Sequence, residues 1–244
     1  MTDLTYADYL QVDTLLSLQQ PRSSGTADRA VVLAEHFFIV AHQSCELWLK
    51  QLVADLDAVV DTLASGSASG SGSGAADLEL SAELLRRAGD LLRVLHEQVL
   101  VLERLPLRHF VEFRPFLGTA SGAQSEQFAG LARLVGTDRR AGALYEAFTA
   151  AAERSGLSVA QVCRLGPGAG GLHRVAEALL DVGDGLWRWK VAHLGLMSRM
   201  VGGEQGTGGS SGIDYLIRRI VLPFPELRSQ RGQVHAAEFA GSTG

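Results

Sequence analysis

Two histidines stand in apolar helical patterns. In "EHFFIVAHQSCELWLKQL" (35–52), His42 has Phe38 and Ile39 about one turn before it and Cys45 and Glu46 about one turn after. That spacing places it within or beside an apolar face. In "LWRWKVAHLGLMSRM" (186–200), Trp189 precedes His193 by four residues and Met197 follows it by four. A histidine so placed is ordinarily a core side chain hydrogen-bonded to a backbone carbonyl. Two of them on separate long helices raise a second option. Zinc would need three or four ligands, and no HExxH or paired CxxC supplies them. A heme needs one strong axial ligand and a large apolar slot, and a histidine across that slot can hydrogen-bond a ligand or substrate. Periodicity alone leaves a heme slot and a plain core both open.

Two further segments carry polar chemistry. In "FRPFLGTASGAQS" (113–125), Arg114 precedes a proline and is held near a helix boundary. Its planar fork can meet a carboxylate with two parallel hydrogen bonds, or it can lie on the surface against Phe113. "GTGGSSG" (206–212) lacks the lysine of a phosphate-binding P-loop and follows no strand. Its glycines let backbone approach a small ligand closely, and Thr207, Ser210 and Ser211 offer hydroxyls. A plain linker has the same composition.

The elements that must position these residues are helical. Apolar residues recur at spacings of three and four, and period-two alternation is nearly absent, so the chain reads as all-α. Helices are expected at about 5–20, 28–62, 78–105, 123–135, 138–154 and 171–202. "ASGSASGSGSGAAD" (64–77) reads as a flexible Gly/Ser loop between antiparallel helices. "GPGAGG" (166–171) punctuates the chain before the last long helix. The polar, glycine-tipped stretch from about 230 to 244 reads as a disordered tail. With 244 residues, 46% of them hydrophobic, the chain is long enough for a sizeable core, and one domain over 1–244 is expected. The net charge of −5 is spread without a basic stripe, which disfavours nucleic acid as a partner. No apolar run reaches the ~20 residues that cross a bilayer, and "MTDLTYADYL" lacks the pattern of a signal peptide, so no membrane partner and a cytoplasmic location are expected. Cys45 and Cys163 are too few for a disulfide scaffold and are expected to be reduced.

Taken in order, "YADYLQVDTLL", "FFIVAHQSCELWLKQL", "FRPFLGTASGAQSEQF", "WRWKVAHLGLMSRMVG" and "GTGGSSGIDYL" resemble the motifs of the tryptophan 2,3-dioxygenase family, heme enzymes that open the indole ring of L-tryptophan. The interval from His193 to Thr207 also matches the family's interval between heme ligand and substrate threonine. The resemblance implies a single-domain helical bundle holding heme b between long helices, with His193 as the proximal iron ligand. His42 would be the distal histidine that hydrogen-bonds the indole N–H. Arg114 would grip the substrate carboxylate and Thr207 its ammonium and carboxylate ends, with Gly208 in the same loop. Phe38, Leu117 and Ser121 would line the pocket. Tyr6 and Tyr9 match a family segment that reaches into a neighbouring subunit's active site, so a homo-oligomer, a tetramer, is implied. The glycine-rich loop is then read as a lid over a zwitterion whose two charges must both be paired.

The implied reaction is dioxygenation of tryptophan, or of a substituted tryptophan, across C2–C3 to an N-formylkynurenine. This chain departs from the family pattern in three places. The helices usual between the fifth and sixth segments are reduced to "GLSVAQVCRLGPGAGG", Ala123 stands where the family commonly has phenylalanine, and Phe110 where it has a pocket tyrosine. Such changes enlarge or repolarise a pocket. They keep two other readings in view: mono-oxygenation of a β-methyltryptophan to a 2-oxindole, which needs outside electrons, and a non-catalytic heme sensor. A sensor has no need of a zwitterion clamp.

Overall fold

Three long helices share one spacing of buried residues. In α3 (Arg29–Ser65) the core positions are Leu49, Leu52, Leu56, Val59 and Leu63. In α4 (Ser73–Leu102) they include Leu85, Ala88, Leu92, Leu95 and Val99. In α9 (Gly171–Val201) they include Leu172, Val175, Leu179, Val182 and Leu186. Alternating steps of three and four keep an apolar seam on one side of each helix, which drives antiparallel bundling. The computed structural model describes residues 3–65, 73–137, 140–202 and 213–241. Helices α4 and α9 make the most extensive pairing. They approach closely at Gly185, where an added Cβ would lie 3.1 Å from Leu92 Cβ. The fold is all-α as expected, and among the described residues the only strands are the two-residue pair of one hairpin.

Two apolar clusters form. The larger gathers the seams of α3, α4 and α9 with α6 (Glu126–Val135), α7 (Ala143–Arg154) and α8 (Val159–Leu165). The smaller gathers Val31 and Ala34 from the start of α3 with Leu105 and with Phe110 and Phe113 of α5 (Leu107–Phe113), and Met200 and Val201 from the end of α9 pack onto it. Helices α3 and α9 therefore run from one cluster to the other.

Several expected boundaries are corrected. The single helix at 5–20 is two short ones, α1 (Tyr6–Leu10) and α2 (Val12–Leu16), broken at Gln11, whose φ is 52°. Neither buries a residue, so no packing holds them to one axis. The Gly/Ser loop expected at 64–77 is helical from Ser73, where Ala75, Ala76 and Leu78 resume good helix formers and Leu78 meets the start of α9 at Gly171. Residues 66–72 lie outside the described ones. The helix expected from 123 begins at Glu126 because Ser125 caps it, accepting from the Phe128 N–H at 3.2 Å. The helix expected from 138 begins at Ala143, after β1 (Gly136–Thr137) pairs with β2 (Arg140–Ala141). Gly136 has φ 91°, and a Cβ there would lie 2.5 Å from the Gly142 nitrogen, so the hairpin requires glycine.

The tail read as disordered from about 230 is instead helical to Gly241, as α11 (Pro225–Gly241). Phe224 and Leu227 enter the main cluster, Arg228 donates to the Pro223 carbonyl at 2.9 Å and pairs with Asp184, and Arg231 pairs with Glu177. The two apolar anchors lie just before the polar stretch, which continues the helix they start. Helices α5, α8 and α10 (Ile213–Ile217) were not foreseen either. Among the described residues, no helix is long and apolar enough to cross a membrane.

Candidate functional site

His42 and His193 lie on α3 and α9 between the two clusters. Phe38, one turn before His42, packs onto the smaller cluster, whereas Cys45, just after it, packs onto the larger. Trp189, one turn before His193, belongs to the larger cluster's edge, and Met200 to the smaller one's. Both imidazoles therefore open onto the region where α3 and α9 pass between apolar walls. They are close enough that charge on His42 disfavours charge on His193.

Each imidazole is kept neutral. Burial lowers the His42 pKa, against the opposing pull of the Phe38 carbonyl and Glu46. His42 nonetheless presents an exposed edge, as a ring on the wall of a recess does. Its Nδ1 lies 2.7 Å from the Phe38 carbonyl oxygen. A carbonyl only accepts, so Nδ1 carries the proton and donates, and in the neutral ring Nε2 is left as an acceptor. Burial, and secondarily His42, depress His193 to about 4. At neutral pH His193 is a lone-pair donor suited to a Lewis acid. Among the described residues no three His, Cys, Asp or Glu gather to hold a bare ion. A metal at His193 would bring its other ligands with it, as the iron of a macrocycle does.

Aromatic rings form the wall on the His42 side. The Phe38 and His42 centroids are 3.9 Å apart, and Phe38 lies 5.4 Å from Phe113 and 6.2 Å from Phe110. Phe110 and Phe113 meet edge to face at 5.4 Å. Buried Phe113 thus anchors the end of α5 directly before Arg114. Arg114 is half-buried and opens a 3₁₀ turn, Arg114–Leu117, so it does stand at a helix boundary. Its backbone is αR, although proline follows. Leu117 packs onto the smaller cluster beside it. Ser121 then caps a turn over Gly122–Gln124, with the Gln124 side chain accepting from the Ser121 N–H at 3.1 Å.

Phe38, His42, Arg114, Leu117 and Ser121 are thus drawn from α3 and the α5–α6 connection, with His193 on α9. Tyr6 and Tyr9 are not drawn in: they are 78% and 73% exposed within one chain. Thr207 and Gly208 lie outside the described residues. Four residues without an assigned part in the sequence reading, Glu46, Ser125, Phe128 and Trp189, also belong here. Ser125 Oγ donates to Glu46 Oε2 at 3.1 Å, tying the cap of α6 to α3 one turn beyond His42. Phe128 of α6 packs on Trp189 at 5.0 Å, and Trp189 lies parallel to His193 at 5.2 Å and 7°. Spacing to His42 and His193 could have flagged Glu46 and Trp189; no local signal marks Phe128. Cys45 is a free thiol pushed up to about 12 by burial and Glu46, which makes it unreactive.

Known proteins resemble this chain along nearly its whole length. The family model described as tryptophan 2,3-dioxygenase matches residues 1–153 and 147–234. The two stretches overlap at 147–153, near the end of α7. A tryptophan 2,3-dioxygenase of Herpetosiphon aurantiacus is 31% identical over 271 residues, covering 95% of this chain and 98% of the relative. One from Caulobacter vibrioides is 31% identical, with 94% and 98% covered. One from Serratia proteamaculans is 28% identical, with 96% and 94% covered.

Proposed function

Because this chain belongs to the tryptophan 2,3-dioxygenase family, we propose that residues 1–244 act as one heme-binding oxygenase domain that dioxygenates L-tryptophan to N-formylkynurenine. One observation carries the reading: two helices that bridge two apolar clusters carry two histidines, each pushed toward the neutral form by burial and near enough that charge on His42 disfavours charge on His193. The donor set suits heme b, with a single neutral histidine for the iron and aromatic and aliphatic walls for the macrocycle. When bound, the heme supplies the center at which dioxygen reacts with the indole.

The chain's own residues bind and orient. His193 would hold the iron through its lone pair. His42, with Nδ1 committed to Phe38, accepts the indole N–H at Nε2. Arg114 meets the substrate carboxylate with its planar fork, and Thr207 meets the ammonium and carboxylate ends. Phe38, Leu117 and Ser121 shape the wall, and Gly208, next to Thr207, adds no side chain that would crowd the ligand. These contacts set C2–C3 of the indole against dioxygen, and positioning of this kind supplies much of the rate. Tyr6 and Tyr9, exposed in one chain, complete the site of a neighbouring copy in a homotetramer. The enzyme works in the cytoplasm.

The substituted-tryptophan reading has one observation in its favour. Phe110 is buried against Phe38 without a hydroxyl, and Ala123 offers only a methyl group on an exposed turn. Turnover of tryptophan and β-methyltryptophan by the heme-loaded protein under labelled dioxygen, with and without ascorbate, separates the readings. Two labelled atoms in a ring-opened product without reductant is the expected result. One labelled atom in an intact 2-oxindole, dependent on reductant, replaces it with the mono-oxygenase, and no product from any indole amino acid leaves the sensor.

A further inference from the structure

A histidine that ligates a metal is ordinarily oriented by a hydrogen bond from its second nitrogen to a carbonyl, carboxylate or water. Among the described residues His193 makes no such bond to protein. What lies against it is Trp189, one helical turn earlier, with ring planes within 7° and centroids 5.2 Å apart. The indole is held in turn by Phe128 at 5.0 Å. The indole Nε1 is buried without a hydrogen-bond partner among the described residues. An indole usually finds a partner when buried, so packing rather than hydrogen bonding places this one.

We infer that Trp189 is a positioning residue that sets the plane of the His193 imidazole through its stacked face, with Phe128 as its backstop. This rests on His193 being the axial ligand. An imidazole on a helix turns about Cβ–Cγ unless something flat lies beside it. Trp189 is that surface, and the Phe128 ring packed 5.0 Å from it restrains the indole in turn. Phe128 is fixed by its own helix start: its N–H donates to Ser125 Oγ at 3.2 Å, and that hydroxyl donates to Glu46 one turn beyond His42. The first turn of α6 thereby braces the ligand helix and the His42 helix together.

The test uses heme-loaded wild type, Trp189→Leu, Trp189→Phe and Phe128→Leu, with the iron–histidine stretching band of the ferrous protein read by resonance Raman. Far-UV circular dichroism and heme titration are measured alongside. Trp189→Leu is expected to broaden and shift the band and to weaken heme binding roughly tenfold, while helix content stays as in wild type. Trp189→Phe, which keeps a flat face and lacks the N–H, restores a narrow band near the wild-type position. Phe128→Leu moves the band in the same direction as Trp189→Leu but less, and carries the test alone if Trp189→Leu fails to fold. An unmoved band in Trp189→Leu, or in Phe128→Leu where that variant stands alone, overturns the inference. A Trp189→Phe band as disturbed as that of Trp189→Leu also overturns it, because the N–H and not the stacked face would then be responsible. A His193→Gly protein that keeps the wild-type iron–histidine band contradicts the underlying ligand assignment instead, so the two failures are distinguishable.

Discussion

At the residue scale, the proposed site combines two imidazoles that burial pushes toward the neutral form with one arginine at a helix boundary. His42 and His193 are both pushed toward the neutral form by burial, but they differ in what neutrality is for. In the proposed reading His193 would keep a lone pair for iron, and His42, its Nδ1 proton committed to Phe38, would keep one for an indole N–H. Arg114 needs its charge and also its shape. Its backbone is fixed between buried Phe113 and Pro115, so the fork is delivered from a defined point rather than from a mobile loop. Arg114→Lys retains charge but loses one of two parallel hydrogen bonds, and tryptophan binding should weaken roughly 10- to 100-fold. Equilibrium titration of the heme-loaded protein with tryptophan and tryptamine reads this directly. Tryptamine should bind wild type much more weakly than tryptophan and bind the Arg114→Lys variant about as weakly as tryptophan does. Equal binding of the two by wild type would remove the carboxylate clamp.

At the scale of elements, the N-terminal segment hangs on α3 by a few polar contacts. The Glu35 carboxylate, 1% exposed, accepts from the Arg22 and Ser23 N–H groups at 2.9 Å each. Gln43 accepts from Gln19 at 2.6 Å and donates to the Leu18 carbonyl at 3.1 Å. Burial raises the Glu35 pKa, but hydrogen bonds from Ser23 and Arg22 outweigh it, and the net shift is downward. A carboxyl depressed in the folded state stabilises above its ordinary pKa of 4.5 and loses that contribution as pH falls through the folded value. Glu35→Gln should therefore cost roughly 1–3 kcal/mol at pH 7, with the melting temperatures of the two proteins converging below pH 4.5. A gap that persists undiminished in acid would contradict this account. The long elements were legible in the sequence because Leu49 to Leu63 and Leu172 to Leu186 repeat the helical period over many turns. The short ones were not. Helix α11 enters the core only through Leu227, with Phe224 just before it, and the break at Gln11 has no proline or glycine to announce it. His42 and Arg114 could be chosen from local pattern and resemblance, whereas the stacking of Phe128 on Trp189 joins segments far apart in the chain and leaves no local trace.

At the scale of the whole molecule, α3 and α9 outrun one core and end in another, and the proposed site lies where they pass between the two. On α3 the smaller cluster ends with Phe38 and the larger resumes at Cys45, and in the proposed reading the cofactor would sit against that stretch. The outer face of the same helix leaves Leu33, Val40, Leu47 and Trp48 exposed, and the N-terminal helices leave Tyr6, Tyr9 and Leu16 exposed. Apolar exposure on this scale marks an interface between protein surfaces. Sedimentation should find the wild-type chain as a tetramer, and Leu16→Asp with Leu47→Asp should drive it toward monomer with loss of turnover. A wild-type chain that sediments as a monomer at every concentration would contradict that assembly. The central claim is that His193 holds a heme which His42 faces without ligating. Its most direct test is the ferrous spectrum of heme-titrated wild type, His193→Ala and His42→Ala. Wild type and His42→Ala should each take up one heme per chain with the same histidine-ligated spectrum, and His193→Ala should lose most heme or show a weakly ligated iron. An unchanged axial-ligand spectrum in His193→Ala would contradict the account.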